Sequence, residues 1–173
     1  MQLSEAAHRL LDILDPDAVL IGGICGAIYG VERFTRDVDI AADLEPETII
    51  QRLKDAGIDA AVRYSNEPDD LSWVVHGLFE GIEFQVLPAS ETGISRGLFE
   101  VKAGYKVPDI HSFMVSKCIA AGQQDMHDVA ALCLLYPELD SAGRELAAKY
   151  GCLEKLESWL SDRRLLQRYA GKG

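Results

Sequence analysis

The sequence predicts an α/β (α+β) fold in which a mixed β-sheet flanked by helices is followed by a helical C-terminal part. Two observations support this. Up to Pro108, short runs with strand-like apolar patterns recur between helix-like segments, whereas beyond it the spacing is helical almost to the end. We therefore predict an α/β core over residues 1–108 and a helical region over 109–173 that packs on it. With 173 residues, the chain is long enough to bury one substantial core.

The composition is ordinary for a globular protein, with 48% hydrophobic and 26% charged residues. No apolar run approaches the ~20 residues of a membrane helix, and the N-terminus lacks a signal-peptide pattern, so we expect a cytoplasmic location and no membrane partner. The net charge of -11 argues against bulk DNA binding, although a local basic groove stays possible. Scattered cysteines favour buried thiols over a zinc site or disulfides: Cys25, Cys118, Cys133 and Cys152.

The first elements follow from local spacing. Residues 3–14 place apolar groups at helical intervals, which predicts an amphipathic helix capped by Ser4. A short buried strand over 18–21 leads into an apolar helix over 24–29 that ends at Gly30.

Apolar spacing and turn residues also predict the remaining helices and strands. We predict strands at 37–41 and 58–63, a helix from Pro46 to near Gly57, a hairpin of 73–78 and 82–87, a short helix over 91–97, two short strands at 99–102 and 105–107, and helices over 109–122, 126–135, 139–150 and 153–169.

Two aspartates one residue apart lie in the second predicted strand. Successive side chains of a strand point to opposite faces, so Asp37 and Asp39 share one face. Two like charges that close repel each other unless a cation lies between them. Mg²⁺ (or Mn²⁺) prefers such oxygen ligands and keeps positions for water and substrate phosphates. We therefore predict Asp37 and Asp39 as metal ligands and catalytic residues.

A glycine pair lies where the first strand meets the next helix. At Gly22 and Gly23, bare backbone amides and the positive end of the helix dipole favour a phosphate. Arg33 in the following connection either pairs with a neighbouring acid or binds phosphate oxygens with its planar fork. Thr35 either starts the strand or orients Asp37 through a hydrogen bond.

Together these residues resemble the pattern of the nucleotidyltransferase superfamily that includes DNA polymerase beta, and within it the small bacterial and archaeal proteins related to the AbiEii toxin. The resemblance implies a nucleotidyltransferase-like fold in a Mg²⁺-dependent enzyme. That enzyme would bind a nucleoside triphosphate and transfer a nucleoside monophosphate to an acceptor hydroxyl. Acceptors such as tRNA or a partner protein are implied, as is a role in a toxin–antitoxin system. The implied nucleotide-binding residues include Gly22, Gly23, Arg33 and Thr35.

The third acid of the resembling family is where this sequence departs from the pattern. In the family, a third carboxylate on a neighbouring strand completes a two-metal site. The segment 82–88 resembles that strand, but the usual aspartate falls at Gln85, which carries no charge. Glu83 shares a strand face with Gln85, so it is either a displaced catalytic carboxylate or an exposed strand residue. Without a third acid, the chain would be a catalytically impaired nucleotide-binding or antitoxin-like module with no turnover.

The resemblance resumes at Lys117, Asp125 and Asp128. In the family, a lysine faces the triphosphate and a following Asp-x-x-Asp pattern caps and braces the next helix. Lys117 either reaches into the cleft as a nucleotide-binding residue, which we favour, or snorkels to solvent. Asp125 is predicted as a helix N-cap that Asp128 completes. His76, in the predicted hairpin, is a further candidate for contact with substrate.

Overall fold

The computed structural model describes residues 2–32, 34–68, 70–94, 99–137 and 139–162. Helices and strands within these ranges follow one another in chain order: α1 (Leu3–Leu14), β1 (Ala18–Leu20), α2 (Gly22–Ile28), β2 (Asp37–Ala42), α3 (Pro46–Asp55), β3 (Ala60–Tyr64), β4 (Trp73–Phe79), β5 (Ile82–Pro88), β6 (Phe99–Lys102), β7 (Tyr105–Pro108), α4 (Ile110–Ala120), α5 (Gln123–Leu135), α6 (Leu139–Lys149) and α7 (Leu153–Ser161).

The main sheet has five strands in the order β1-β2-β5-β4-β3. Strands β2 and β5 run parallel, and the other neighbouring pairs are antiparallel. The predicted mixed sheet with flanking helices is therefore confirmed, as is the hairpin, which turns through the positive φ angles of Glu80 and Gly81. Strands β6 and β7 pair separately in a two-stranded antiparallel sheet.

Alternation along β2 gives the sheet one apolar and one polar face. Val38 and Ile40 are fully buried, whereas Asp37 and Asp39 are half-buried on the opposite face. The register carries this polar face across to β5. The two aspartates therefore stand on the face that the core leaves open.

The C-terminal helices pack into the same core as the sheet. Phe113 of α4 belongs to one buried cluster together with Phe84 of β5 and Leu10 of α1. Tyr29 joins the two parts, because its hydroxyl donates to the Pro108 carbonyl at 2.6 Å and its ring stacks on Phe113. The division of the chain after Pro108 stays a prediction.

Two of the predicted local features are wrong. Helix α1 has Gln2 at its N-cap, and Ser4 lies inside the helix, where its carbonyl accepts the Tyr105 hydroxyl at 3.1 Å. Residues 91–93 form a turn instead of a helix, in which the amides of Glu91 and Thr92 both donate to the Pro88 carbonyl. Residues 95–97 and 163–169 of two predicted helices lie outside the described residues.

All four cysteines are thiols, and Cys25, Cys118 and Cys152 are buried, as expected. The fold nevertheless brings the thiols of Cys118 and Cys152 together. A hydrogen bond from Cys118 lowers the pKa of Cys152 to about 7. None of the helices in the described part of the chain has the length and apolarity needed to cross a bilayer.

Candidate functional site

The acidic pair stands at the start of β2. Val38 and Ile40, both fully buried, hold the strand so that Asp37 and Asp39 project together from the opposite face. Both aspartates are half-buried. The predicted sharing of one face is therefore observed, and it follows from strand alternation alone.

The glycine corner contacts one member of this acidic pair, Asp39. Gly22 has φ +64°, and a Cβ at this position would lie 1.9 Å from Oδ2 of Asp39. The Ile21 amide also donates to the Asp39 carbonyl at 2.9 Å. A side chain at Gly22 would therefore overlap the carboxylate, and only glycine fits this turn without displacing Asp39.

The structure decides between the two roles predicted for Thr35, which were to start the strand or to orient Asp37. Its hydroxyl donates to Oδ1 of Asp37 at 2.8 Å, so it orients that carboxylate. Arg33, predicted to bind the nucleotide, lies outside the described residues. The Arg36 guanidinium lies 5.2 Å from the ring centre of Phe34, which is 77% exposed. This exposed aromatic ring, three residues before Asp37 in the chain, is a feature that sequence reasoning missed.

The parallel pairing of β2 and β5 decides what lies next to each aspartate. Glu83 is in register with Asp37, and Gln85 is in register with Asp39. Both β5 side chains are exposed on the polar face. An amide therefore neighbours Asp39, while the carboxylate of Glu83 belongs to the position beside Asp37. The catalytic assignment of Glu83 stays a prediction.

The donor set suits a hard cation that completes its coordination with other ligands. Among the residues that the structure describes, no three His, Cys, Asp or Glu side chains converge into a ready-made metal cage. Asp37 and Asp39 supply two carboxylates on one face of β2, and the carboxylate of Asp39 packs against Gly22. Mg²⁺ is usually held by one or two carboxylates together with water and substrate phosphates. These residues fit that mode of binding, and Mg²⁺ (or Mn²⁺) stays a prediction.

A groove opens on the other side of the acidic pair. It has a volume of about 520 Å³ and extends over β5 and β4 to the edge strand β3. His76, which was a candidate for substrate contact, lines it opposite Gln85. Sequence reasoning missed Arg63, because its nearness to His76 depends on the register of β3 and β4. The polar and charged lining residues are Asp37, Glu83, Gln85, His76 and Arg63.

Lys117 is buried between two aspartates of the following helix. Its Nζ lies 2.9 Å from Asp125 and 3.0 Å from Asp128, and its side chain is only 7% exposed. Burial lowers the pKa of Lys117, but attraction to Asp125 and Asp128 outweighs burial and leaves the pKa raised. The residue therefore braces α4 against α5 and does not snorkel to solvent. Its predicted contact with a nucleotide stays a prediction.

The predicted N-cap role of Asp125 is wrong. Helix α5 begins at Gln123 with Gly122 as its N-cap, three residues before the expected cap. Asp125 lies in the first turn and accepts the Gly122 amide at 3.0 Å. Asp128 does not complete a cap, since it is buried against Lys117. Pairing with the buried lysine explains both positions.

Comparison with known structures identifies the fold. No protein-family model matches the sequence, and no curated protein sequence does. The solved structure of the antibiotic-resistance factor ANT(2'')-Ia superposes with a TM-score of 0.59 at 15% identity, over 91% of this chain and 99% of that chain. The chain has a nucleotidyltransferase-like fold. JHP933 from Helicobacter pylori superposes with a TM-score of 0.51 at 14% identity, over 99% of this chain and 95% of that chain.

At these identities the likeness concerns the nucleotidyltransferase-like fold alone, and the AbiEii-related subgroup stays a prediction. Within this fold, the polar face of the sheet is divided by β2. The glycine corner lies on the β1 side of Asp39, and the groove lies on the β5 side of Asp37. The acidic pair therefore lies between the glycine corner and the groove.

Proposed function

We propose that the protein is a Mg²⁺-dependent nucleotidyltransferase that binds a nucleoside triphosphate and transfers a nucleoside monophosphate to an acceptor hydroxyl. The contact between Gly22 and the Asp39 carboxylate supports this most directly. Asp37 stands on the same face of β2, oriented by Thr35. Two acids beside a glycine turn suit a ligand that carries both phosphates and a cation.

In this proposal, Asp37 and Asp39 hold Mg²⁺. The bound ion would neutralise negative charge on the phosphates and help to align them for in-line displacement. Thr35 holds one oxygen of Asp37 by a hydrogen bond, and the other oxygen would bind the ion. Gln85 contributes at most a neutral amide oxygen beside Asp39.

Other residues act on the nucleotide and the acceptor. The phosphates would bind at the turn of Gly22 and Gly23 beside Asp39, and Arg33 and Lys117 would offset phosphate charge. The acceptor oxygen bonds to the α-phosphorus, pyrophosphate leaves, and the hydroxyl proton passes to the carboxylate of Glu83. Catalysis of this kind consists mostly of positioning and electrostatic stabilisation.

The biological setting remains a set of predictions. An acceptor such as tRNA or a partner protein, and a role in a toxin–antitoxin system, come from the family resemblance. The cytoplasmic location comes from the sequence pattern. The net charge of -11 still argues against bulk DNA binding.

Transfer of label tests the proposed activity. The protein is incubated with nucleoside triphosphates radiolabelled at the α-phosphate, with Mg²⁺ or Mn²⁺, and with cellular RNA or protein. We expect wild-type protein to label an acceptor, and Asp37→Asn or Asp39→Asn to reduce labelling at least roughly 100-fold. Asp12→Asn on the exposed side of α1 is the matched control. Equal labelling by wild type and Asp39→Asn would refute the proposal.

The second candidate is an impaired nucleotide-binding or antitoxin-like module of the same fold. The neutral side chain of Gln85 beside Asp39 favours it. Such a module would be stabilised against heat by a triphosphate with Mg²⁺, yet would transfer no label. The activity assay and a thermal unfolding assay together separate the two functions.

Two substitutions on β5 sharpen this distinction. If the site is impaired because its third acid is missing, Gln85→Asp should raise label transfer from near zero. If Glu83 serves as a displaced acid, Glu83→Gln should lower transfer by roughly 100-fold in an active protein. Glu5→Gln, on the exposed surface of α1, is the control for loss of one carboxylate.

A further inference from the structure

We propose that the groove over β5, β4 and β3 binds the acceptor, and that Arg63 and His76 select acceptors that carry a phosphate or carboxylate group. This inference rests on the proposed function for the reaction at the acceptor hydroxyl. The assignment of the groove as an anion-selective site can be tested separately from that reaction.

The position of the groove follows from the sheet order. Strand β2 has β1 on one side and β5 on the other, and Gly22 meets Asp39 on the β1 side. A second ligand that must reach the same acidic pair therefore approaches over β5. The groove begins there, at Asp37 and Glu83, and its volume of about 520 Å³ is within the usual range for small-molecule sites.

Charge changes sign along this groove. Its β2–β5 end carries the carboxylates of Asp37 and Glu83, whereas its far end carries Arg63 on β3. Neighbouring strands lie about 4.8 Å apart, so the backbones of β2 and β3 are separated by about 14 Å. An anionic group is repelled at the first end and attracted at the second. A bound acceptor is thereby oriented with a hydroxyl toward the acids and its anionic group toward Arg63.

Arg63 and His76, at the far end of the groove, can together bind an anion. Arg63 pairs with Val74 and His76 pairs with Ala61 on adjacent strands, so Arg63 and His76 are diagonal neighbours on one face. Arg63 is exposed and forms no ion pair with any residue in the described ranges. A guanidinium can bind two oxygens of a phosphate or carboxylate, and the imidazole can donate an N–H to the same group. Leu78, 60% exposed, adds an apolar contact for a sugar or base.

Binding of defined probes tests the groove directly. Ribose 5-phosphate, a ribotrinucleotide and neutral ribose are titrated by calorimetry into the full chain, without triphosphate or metal. We expect one or both phosphate-bearing probes to bind and ribose to bind at least about tenfold more weakly. Arg63→Gln should weaken phosphate-probe binding about tenfold, and His76→Gln about threefold. Tighter binding of the trinucleotide would identify RNA as the source of the phosphate, and tighter binding of ribose 5-phosphate a small sugar phosphate.

Matched variants keep the test specific. Arg9→Gln removes another exposed arginine, which pairs with Glu80, lies over the Phe79 ring and does not line the groove, and this variant should bind the probes as wild type does. Arg63→Lys should restore part of the affinity, because it keeps the charge but loses the fork. Thermal unfolding of each variant confirms that it is folded.

The two proposals fail in different ways. Asp39→Asn should lose label transfer but keep wild-type affinity for the phosphate-bearing probes. If wild-type protein transfers no label while Arg63-dependent binding is observed, the proposed activity fails and the groove assignment stands. If neither phosphate-bearing probe binds, or if Arg63→Gln binds both as tightly as wild type, the groove assignment is refuted.

Discussion

Gly22 shows how a residue without a side chain can determine a site. Its positive φ turns the chain from β1 into α2, and the missing Cβ leaves the space that the Asp39 carboxylate fills. These two demands, one on backbone conformation and one on volume, are independent. Gly57 separates them, because it has φ +77° but nothing within 4 Å of its Cβ position.

Alanine at the two glycines should therefore have different effects. Gly57→Ala should cost about 1 kcal/mol in the free energy of unfolding, from the positive φ alone. Gly22→Ala should cost more and should also abolish thermal stabilisation by ATP with Mg²⁺, because it displaces Asp39. Urea unfolding and thermal unfolding with and without ATP measure both effects. Equal responses of the two variants to ATP would contradict this role of Gly22.

Thr35 should influence function through Asp37. Thr35→Val keeps the shape but removes the hydroxyl that donates to Oδ1 of Asp37. A hydrogen bond to a charged group contributes about 1.5–3 kcal/mol, so label transfer should fall by at least about tenfold. Thr35→Ser retains the hydroxyl and should preserve most of the activity. Wild-type transfer by Thr35→Val would show that Asp37 needs no orienting partner.

At the scale of elements, the contact between α4 and α5 depends on buried charge. Lys117 lies between Asp125 and Asp128, and Asp128 is only 1% exposed. Breaking a buried ion pair from one side leaves an uncompensated charge, whereas replacing both partners with apolar groups does not. Removing one of these charges alone should therefore destabilise the helix pair more than replacing both partners with apolar residues.

Lys117→Met should lower the free energy of unfolding by about 3–5 kcal/mol, because it leaves the Asp128 carboxylate buried without the lysine charge. The double variant Lys117→Met/Asp128→Leu should recover much of that loss, because it removes the buried carboxylate as well. Urea denaturation at neutral pH measures each value. If the double variant is no more stable than Lys117→Met, the lysine contributes through packing and not through its charge.

The same pair makes a prediction about pH. Burial lowers the pKa of Lys117, but the charges of Asp125 and Asp128 raise it by more, so the pKa is raised in the folded protein. Its contribution to stability is therefore fully present below the ordinary lysine pKa of about 10.4 and is lost as pH rises through the higher folded value. Wild-type protein should lose stability above about pH 10 more steeply than Lys117→Met/Asp128→Leu. Parallel stability profiles for the two proteins would exclude this linkage.

At the scale of the whole molecule, the sheet and the C-terminal helices share one interior. Phe113 and Met114 of α4 belong to the same buried cluster as Phe84 of β5. Tyr136 of the helical part also donates to the Tyr29 carbonyl at 3.1 Å. The division after Pro108 therefore separates two patterns of secondary structure that bury their side chains together.

A fragment of residues 1–108 should accordingly fail to fold. Losing one buried Phe side chain typically costs about 3–5 kcal/mol, and domains have a net stability of only about 5–15 kcal/mol. Removing α4 deletes several such groups at once. Circular dichroism and urea titration of the fragment should show no cooperative transition. A cooperative transition would instead show that residues 1–108 fold independently.

The predictions from sequence succeeded where the signal is local. Helix α3 begins at Pro46 as expected, and β4 and β5 form the predicted hairpin. They failed where a distant group supplies the interaction, because a local pattern does not contain it. Ser4 looked like a cap, but α1 begins before it, and the Ser4 carbonyl inside the helix accepts a hydroxyl from Tyr105, far along the chain. Asp125 looked like a cap, but it lies in the first turn and pairs with Lys117.

The amino-acid sequence by itself determined that Asp37 and Asp39 share a face and that a glycine turn precedes them. Alternation along a strand and the conformational freedom of glycine are properties of the local chain. Only the tertiary structure decided that the turn touches Asp39, that Gln85 is its neighbour on β5, and that Arg63 lies diagonal to His76. Strand order and register arise from packing between segments distant in sequence, and no local pattern specifies them.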